Sequence, residues 1–244
     1  MDKLRGTKLD EPVSGFRIRD AILLALNYFV GHQVIYPILV TVIVKLINPQ
    51  ATTLPIGAMA IWYGWTLIST LWLARPLLAD ATRHLKEHFS ETFGIPWKIF
   101  PIMYVSSIGM SLLISIITQQ TTSNNQQGLN ELLGEAPVFT VLLAIVFAPI
   151  VEELVFRGAF YRYFRNQRSF WFPLILSSSL FSLIHLSTAI AQQQWMDLWY
   201  FPLYAMLGGF IAYAYERTGN IYGSILLHFI HNTIGMLLAL LITR

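Results

Sequence analysis

Apolar residues run through this chain in long blocks, not in the strict alternation of a half-buried strand. A helix needs roughly 20 apolar residues to cross a hydrocarbon core about 30 Å thick. Seven blocks approach that length: 20–47, 55–75, 97–118, 137–160, 172–191, 197–215 and 220–242. Their interiors are poor in Gly and Pro. The exceptions include Pro37, Pro149, Pro202 and the pair Gly208 and Gly209, which membrane helices tolerate where neighbours satisfy the freed backbone groups. Between the second and third blocks the pattern changes. In "RPLLADATRHLKEHFSETFGIP" the apolar positions Leu77, Leu78, Ala81, Leu85, Phe89 and Phe93 recur among charges at helical spacing. Such a helix is too polar to span; it lies at the cytoplasmic interface or packs on the bundle. The expected fold is therefore all-α, a polytopic membrane bundle of about seven transmembrane helices with one interfacial amphipathic helix.

Composition changes the picture in one respect, the solvent. Of the 244 residues 55% are hydrophobic and 12% charged, against about 25% charged in a soluble domain. Half the usual polar coat is missing, and lipid takes the place of water. The chain has no cysteine, which excludes disulfides, thiolate–zinc sites and a cysteine nucleophile.

The net charge of +3 would suit a nucleic-acid partner, but the basic residues follow the connections instead. With the N-terminus in the cytoplasm, the cytoplasmic pieces hold 14 of the 16 lysines and arginines, and only Lys45 and Arg244 fall outside. The exterior loops "NPQATT", "QQTTSNNQQGLNELLGEA" and "QQQWMD" carry no basic residue. This predicts an N-in, C-out multi-pass protein of a cell membrane, with membrane lipids and no nucleic acid as partners. Short loops and a basic inner face suggest a bacterial plasma membrane. The polar start lacks the apolar stretch and cleavage site of a signal peptide, so the first helix is expected to act as its own insertion signal.

Ionisable and amide side chains inside the spans are the expensive exceptions. An ionisable group at bilayer depth costs at least about 3 kcal/mol and so defaults to a paired or functional role. In "VEELVFRG" (151–158), Glu153 and Arg157 are one turn apart and can pair, whereas Glu152 points to another side of the helix and has no intrahelical partner. Glu152 is then left available as a base, unless both carboxylates merely bind Arg157. His185 follows Phe181 by one turn, and "HFIHN" places His228 and Asn232 on one helix face with His231 beside them. A donor pair at this spacing can cradle an oxyanion. Counting along the helices puts Glu152 and His228 at one depth and His185 deeper. The three helices together are expected to form one polar pocket in the cytoplasmic half, open to that side. Asn27, His32 and Gln33 in the first block either line this pocket or bond helix to helix.

Three motifs thus stand in order on successive apolar helices: Glu-Glu-x-x-x-Arg (152–157), Phe-x-x-x-His (181–185) and His-x-x-x-Asn (228–232). Together they resemble the CPBP family, the CAAX-protease and bacteriocin-processing enzymes also called Abi. The resemblance covers roughly residues 137 to 235, and the N-terminal three helices match only in being membrane-spanning. It divides the chain into N-terminal membrane helices and an interfacial helix (1–136) and a CPBP-like catalytic core (137–244) within one integrated membrane domain.

The resemblance implies an intramembrane endopeptidase acting on a peptide or lipid-anchored peptide. In that reading Glu152 and His185 activate a water, His228 and Asn232 hold the oxyanion, and Glu153 and Arg157 support them. It favours a glutamate-type mechanism with no cofactor. The alternative is a zinc ion on Glu152, His185 and His228, a His₂Glu set with one open position. Outside enzymology, the same residues fit a non-catalytic immunity protein against bacteriocins, whose polar cluster acts as interhelical glue, or a small transporter. The absence of an internal repeat counts against the transporter.

Overall fold

The computed structural model describes residues 9, 13 and 15–242. All seven apolar blocks form helices there, and no strand occurs among the described residues. In chain order they are α1 (Ile18–Ile47), α2 (Ile56–Leu73), α3 (Arg75–Glu87), α4 (Phe89–Thr118), α5 (Asn124–Glu135), α6 (Pro137–Arg165), α7 (Trp171–His185), α8 (Phe201–Thr218) and α9 (Ile221–Ile242). A short helical turn, Ser187–Ala191, and a 3₁₀ turn, Trp195–Tyr200, join α7 to α8.

Five of these helices, α1, α2, α4, α6 and α9, are long and apolar enough to cross a membrane. Large side chains such as Leu46 and Ile47 on α1 are about four-fifths exposed, which is tolerable only where the surroundings are lipid. The other two expected spans fall short for different reasons. The block 172–191 stops being a regular helix at His185, so α7 has 15 residues. α8 lies among other helices and buries residues around most of its circumference, from Leu203 to Thr218. Protein shields it from lipid, which is why it can carry Glu216, Thr218 and two glycines.

The amphipathic stretch divides in two. α3 buries Leu77 and Ala81 against Leu154, Tyr161 and Ile221, and the Ala81 carbonyl accepts a bond from Asn220 Nδ2 at 2.8 Å. It is therefore packed on the bundle. Beyond a break at His88 the sequence that continues the pattern is already the first part of α4, and Phe89 is exposed. α5 lies where only a polar loop was expected. Ser123 caps it, accepting from the Gln126 N–H, and Leu133 seats it against Met236 of α9.

The molecule has two unlike ends. At one, α3, the start of α4, the close of α6 and the junction of α8 with α9 gather. Arg165 meets Glu216 there at 2.9 Å, and Thr82 meets Tyr222 at 2.9 Å. Of the described lysines and arginines, Lys45 alone belongs to the opposite end, and Arg157 belongs to neither. It is fully buried rather than part of a loop, because its partners lie inside. The basic positions before Arg17 lie outside the described residues. N-terminal and C-terminal parts share one hydrophobic cluster, in which Leu24 and Ala74 pack with Leu154 and Ala212.

Candidate active site

Pro149 prepares the ground for the site. Residues 143–147 of α6 form a wide π turn, and the Ala148 N–H bonds back five residues to Leu143 O. The next donor in that register would serve Ala144 O, but it belongs to Pro149, which has no N–H. Asn232 Nδ2 supplies the missing bond to Ala144 O at 2.9 Å. This ties α9 to α6 and fixes the carboxamide with its second N–H unspent. The same arrangement recurs on α1. There Tyr36 N–H bonds to Gly31 O, Pro37 follows, and Trp62 Nε1 donates to His32 O at 3.1 Å.

The two glutamates part as their helical phase requires. Glu153 is fully buried, and its Oε1 accepts from Arg157 Nη1 and from His228 Nδ1, each at 2.9 Å. Arg157 Nη2 donates to Gly208 O at 2.6 Å, and its guanidinium lies 5.0 Å from the Phe181 ring centre. Gly208 also lets α8 lie close to α7, since a Cβ there would stand 3.2 Å from both Phe181 and the Ser178 backbone and push them by a few tenths of an ångström. Glu152 is half-buried instead. Its Oε2 is enclosed yet has no hydrogen-bond partner among the described residues.

Glu152 faces a cavity of about 580 Å³, on which His185, His228, His231 and Asn232 also abut. The four residues expected to carry the chemistry therefore share one space, while Glu153 and Arg157 stand behind its wall. Depth proves no obstacle for His185. The ring packs between Phe181 and Tyr204, with centroids at 4.4 and 4.7 Å. Its Nδ1–H donates to Phe181 O at 2.8 Å, because a carbonyl can only accept. Nε2 is the nitrogen left for chemistry. On His228 the Glu153 carboxylate occupies Nδ1, so there too Nε2 is the ring nitrogen that remains.

Asn27, His32 and Gln33 do not reach the cavity. Asn27 bonds Thr70, Tyr36 and Ser69, and His32 meets Thr66 at 3.0 Å, so these two join α1 to α2, whereas Gln33 bonds Tyr28 of its own helix, which in turn bonds Glu152. The wall also contains Tyr63 and Tyr204, which sequence reasoning passed over. Tyr63 and the buried Tyr28 are electrostatic neighbours of Glu152. A tyrosine inside a span costs little, so neither stood out.

The cavity also extends differently from the expectation, and its exposed lining residues include Thr121, Asn125 and Gln126. It runs from Glu152 and His228 to Thr121, Ser123 and Gln126 under α5, and includes no residue of the basic end. That end is filled by buried pairs, Arg165 and Tyr161 on Glu216, and by α3. As for zinc, no three His, Asp or Glu side chains are grouped among the described residues as a metal site requires. The set Glu152, His185 and His228, as placed, does not fit the ion.

Residues 134–234 match the model of a family described as type II CAAX prenyl endopeptidase Rce1-like, and all three motifs lie inside that segment. That segment is thus similar to the CPBP-type core that the motifs resemble. Among curated relatives of this chain, YvdC of Lactococcus lactis subsp. lactis (strain IL1403), a UPF0177 protein, is 29% identical over 158 residues, which are 61% of this chain and 57% of YvdC. YdiL of Bacillus subtilis (strain 168), named as a candidate membrane peptidase, is 24% identical over 75% of this chain and 73% of its own. YbdI of the same Lactococcus strain is 27% identical over 64% and 83%. The chain thus spans little more than half of the first of these relatives. No solved structure matches it significantly.

Proposed function

We propose that this CPBP-type chain is an intramembrane endopeptidase of the glutamate type. The observation that carries the reading is the enclosed, unpartnered Oε2 of Glu152, which faces the same cavity as His185, His228 and Asn232. Glu152 takes a proton from a water whose oxygen attacks the scissile carbonyl carbon. The developing oxyanion receives the free N–H of Asn232 and Nε2 of His228, which serves as donor when the ring carries both protons. Collapse breaks the C–N bond, and the leaving amine takes its proton from the Glu152 and His185 pair. The substrate is a peptide or lipid-anchored peptide at the membrane of the producing cell.

Glu152→Gln in purified, folded protein tests the reading. Loss of a general base lowers turnover by about 10²- to 10⁴-fold. Undiminished cleavage by this variant would end the proposal and leave the polar cluster as helix-to-helix glue. We propose further that no metal takes part. Activity is expected to survive prolonged 1,10-phenanthroline, and a loss restored by added zinc would overturn that half of the reading.

A further inference from the structure

We infer that the cavity is served from the non-cytoplasmic face, and that it takes an uncharged, chain-internal peptide segment presented there. This rests on the reading of the cavity as the reaction chamber. The route follows from what lines it. From Glu152 it passes Ser111 and Tyr204 to Thr121, Ser123 and Gln126 beneath α5, and it contacts nothing of the end where Arg83, Arg165, Arg168 and Arg217 lie. Basic residues accumulate on the cytoplasmic side of membrane proteins. Of the described lysines and arginines only Lys45 belongs to the α5 end. The opening and the cytoplasmic face are thus at opposite ends of the bundle.

The occupant follows from charge. Apart from its histidines, the lining contains one ionisable acid, Glu152, and no lysine or arginine. A terminal carboxylate entering this space would meet that glutamate and no lysine or arginine to receive it. Hydroxyls and amides from Ser107, Ser111, Thr122, Asn125 and Gln126 instead offer partners to a neutral peptide backbone.

The absence of cysteine makes the test direct. Ser111→Cys places a thiol on the cavity wall with almost no change of volume. Gln192→Cys and Arg168→Cys, both at exposed positions on the two ends, mark orientation. A small membrane-impermeant thiol reagent is added to spheroplasts and, separately, to inverted vesicles. The inference expects Ser111→Cys and Gln192→Cys to react in spheroplasts and Arg168→Cys only in inverted vesicles. Ser111→Cys reacting from the Arg168 side, reacting from neither side, or Gln192→Cys reacting only in inverted vesicles would each overturn it. Labelling does not depend on catalysis, so the outcome is separable from the Glu152→Gln result. A Glu152→Gln variant that still cleaves would remove the enzyme and leave the entry route standing.

Discussion

Glu152 and Glu153 are neighbours in sequence, yet a helix turns about 100° per residue and gives them different environments. Glu153 is locked between Arg157 and His228 without exposure. Removing one partner of a buried ion pair strands the other charge, at a cost of about 3–5 kcal/mol. Arg157→Leu should therefore unfold far below wild type in detergent, followed by thermal denaturation. Glu152→Gln should lose turnover with its melting temperature unchanged or raised, since it removes a charged group that has no hydrogen-bond partner at Oε2. Equal destabilisation at the two positions would contradict this division of labour. The division was legible from spacing alone, because Glu153 and Arg157 are one turn apart. Tyr63 and Tyr204 were not, since a neutral hydroxyl on an aromatic ring presents no energetic anomaly within a span.

At the level of helices, the same local device serves two ends. Pro37 and Pro149 each withhold an N–H from a carbonyl in a wide turn, and a side chain from the adjoining helix fills the gap. The prolines were visible as helix irregularities, but which partner would answer them depends on tertiary contacts. α5 was missed for a related reason. Its polar composition reads as loop, and only the Ser123 cap with Leu129 and Leu133 hints at a helix. Pro149→Ala restores a donor that competes with Asn232 for Ala144 O. Folding should persist while cleavage falls roughly 10-fold or more, toward the 10²–10³ that outright loss of an oxyanion donor costs. Trp62→Phe leaves His32 O without its partner and should cost about 1–3 kcal/mol with turnover retained, since that turn does not touch the cavity. A Trp62→Phe variant as impaired in cleavage as Pro149→Ala would show that both turns only stabilise.

Over the whole molecule, the gathering of arginines at one end was legible from the loops, but which end is plugged was not. That depends on pairs distant in sequence. At the basic end, buried groups do the joining: Tyr161 and Arg165 on Glu216, and Asn220 on Ala81 O. At the other, α5 is held by the hydroxyl contact of Ser123 with Tyr204, by Asn124 N–H on Asp197 Oδ1 at 3.0 Å, and by the Asn124 amide on Gln194. Stability is distributed unevenly in such an arrangement, and the segment with fewest buried contacts opens first. Amides of α5 should therefore exchange with solvent before those of 154–161 and 203–218. Tyr204→Phe keeps the ring against His185 and deletes the hydroxyl's tie to Ser123 together with the longer, 3.5 Å bond it accepts from Asn125. One hydrogen bond is worth about 1 kcal/mol net, so exchange in α5 should quicken by roughly fivefold while α8 keeps its rate. Uniform acceleration across α5 and α8 would mean that the two ends open as one unit, and that α5 does not open independently of the bundle beneath it.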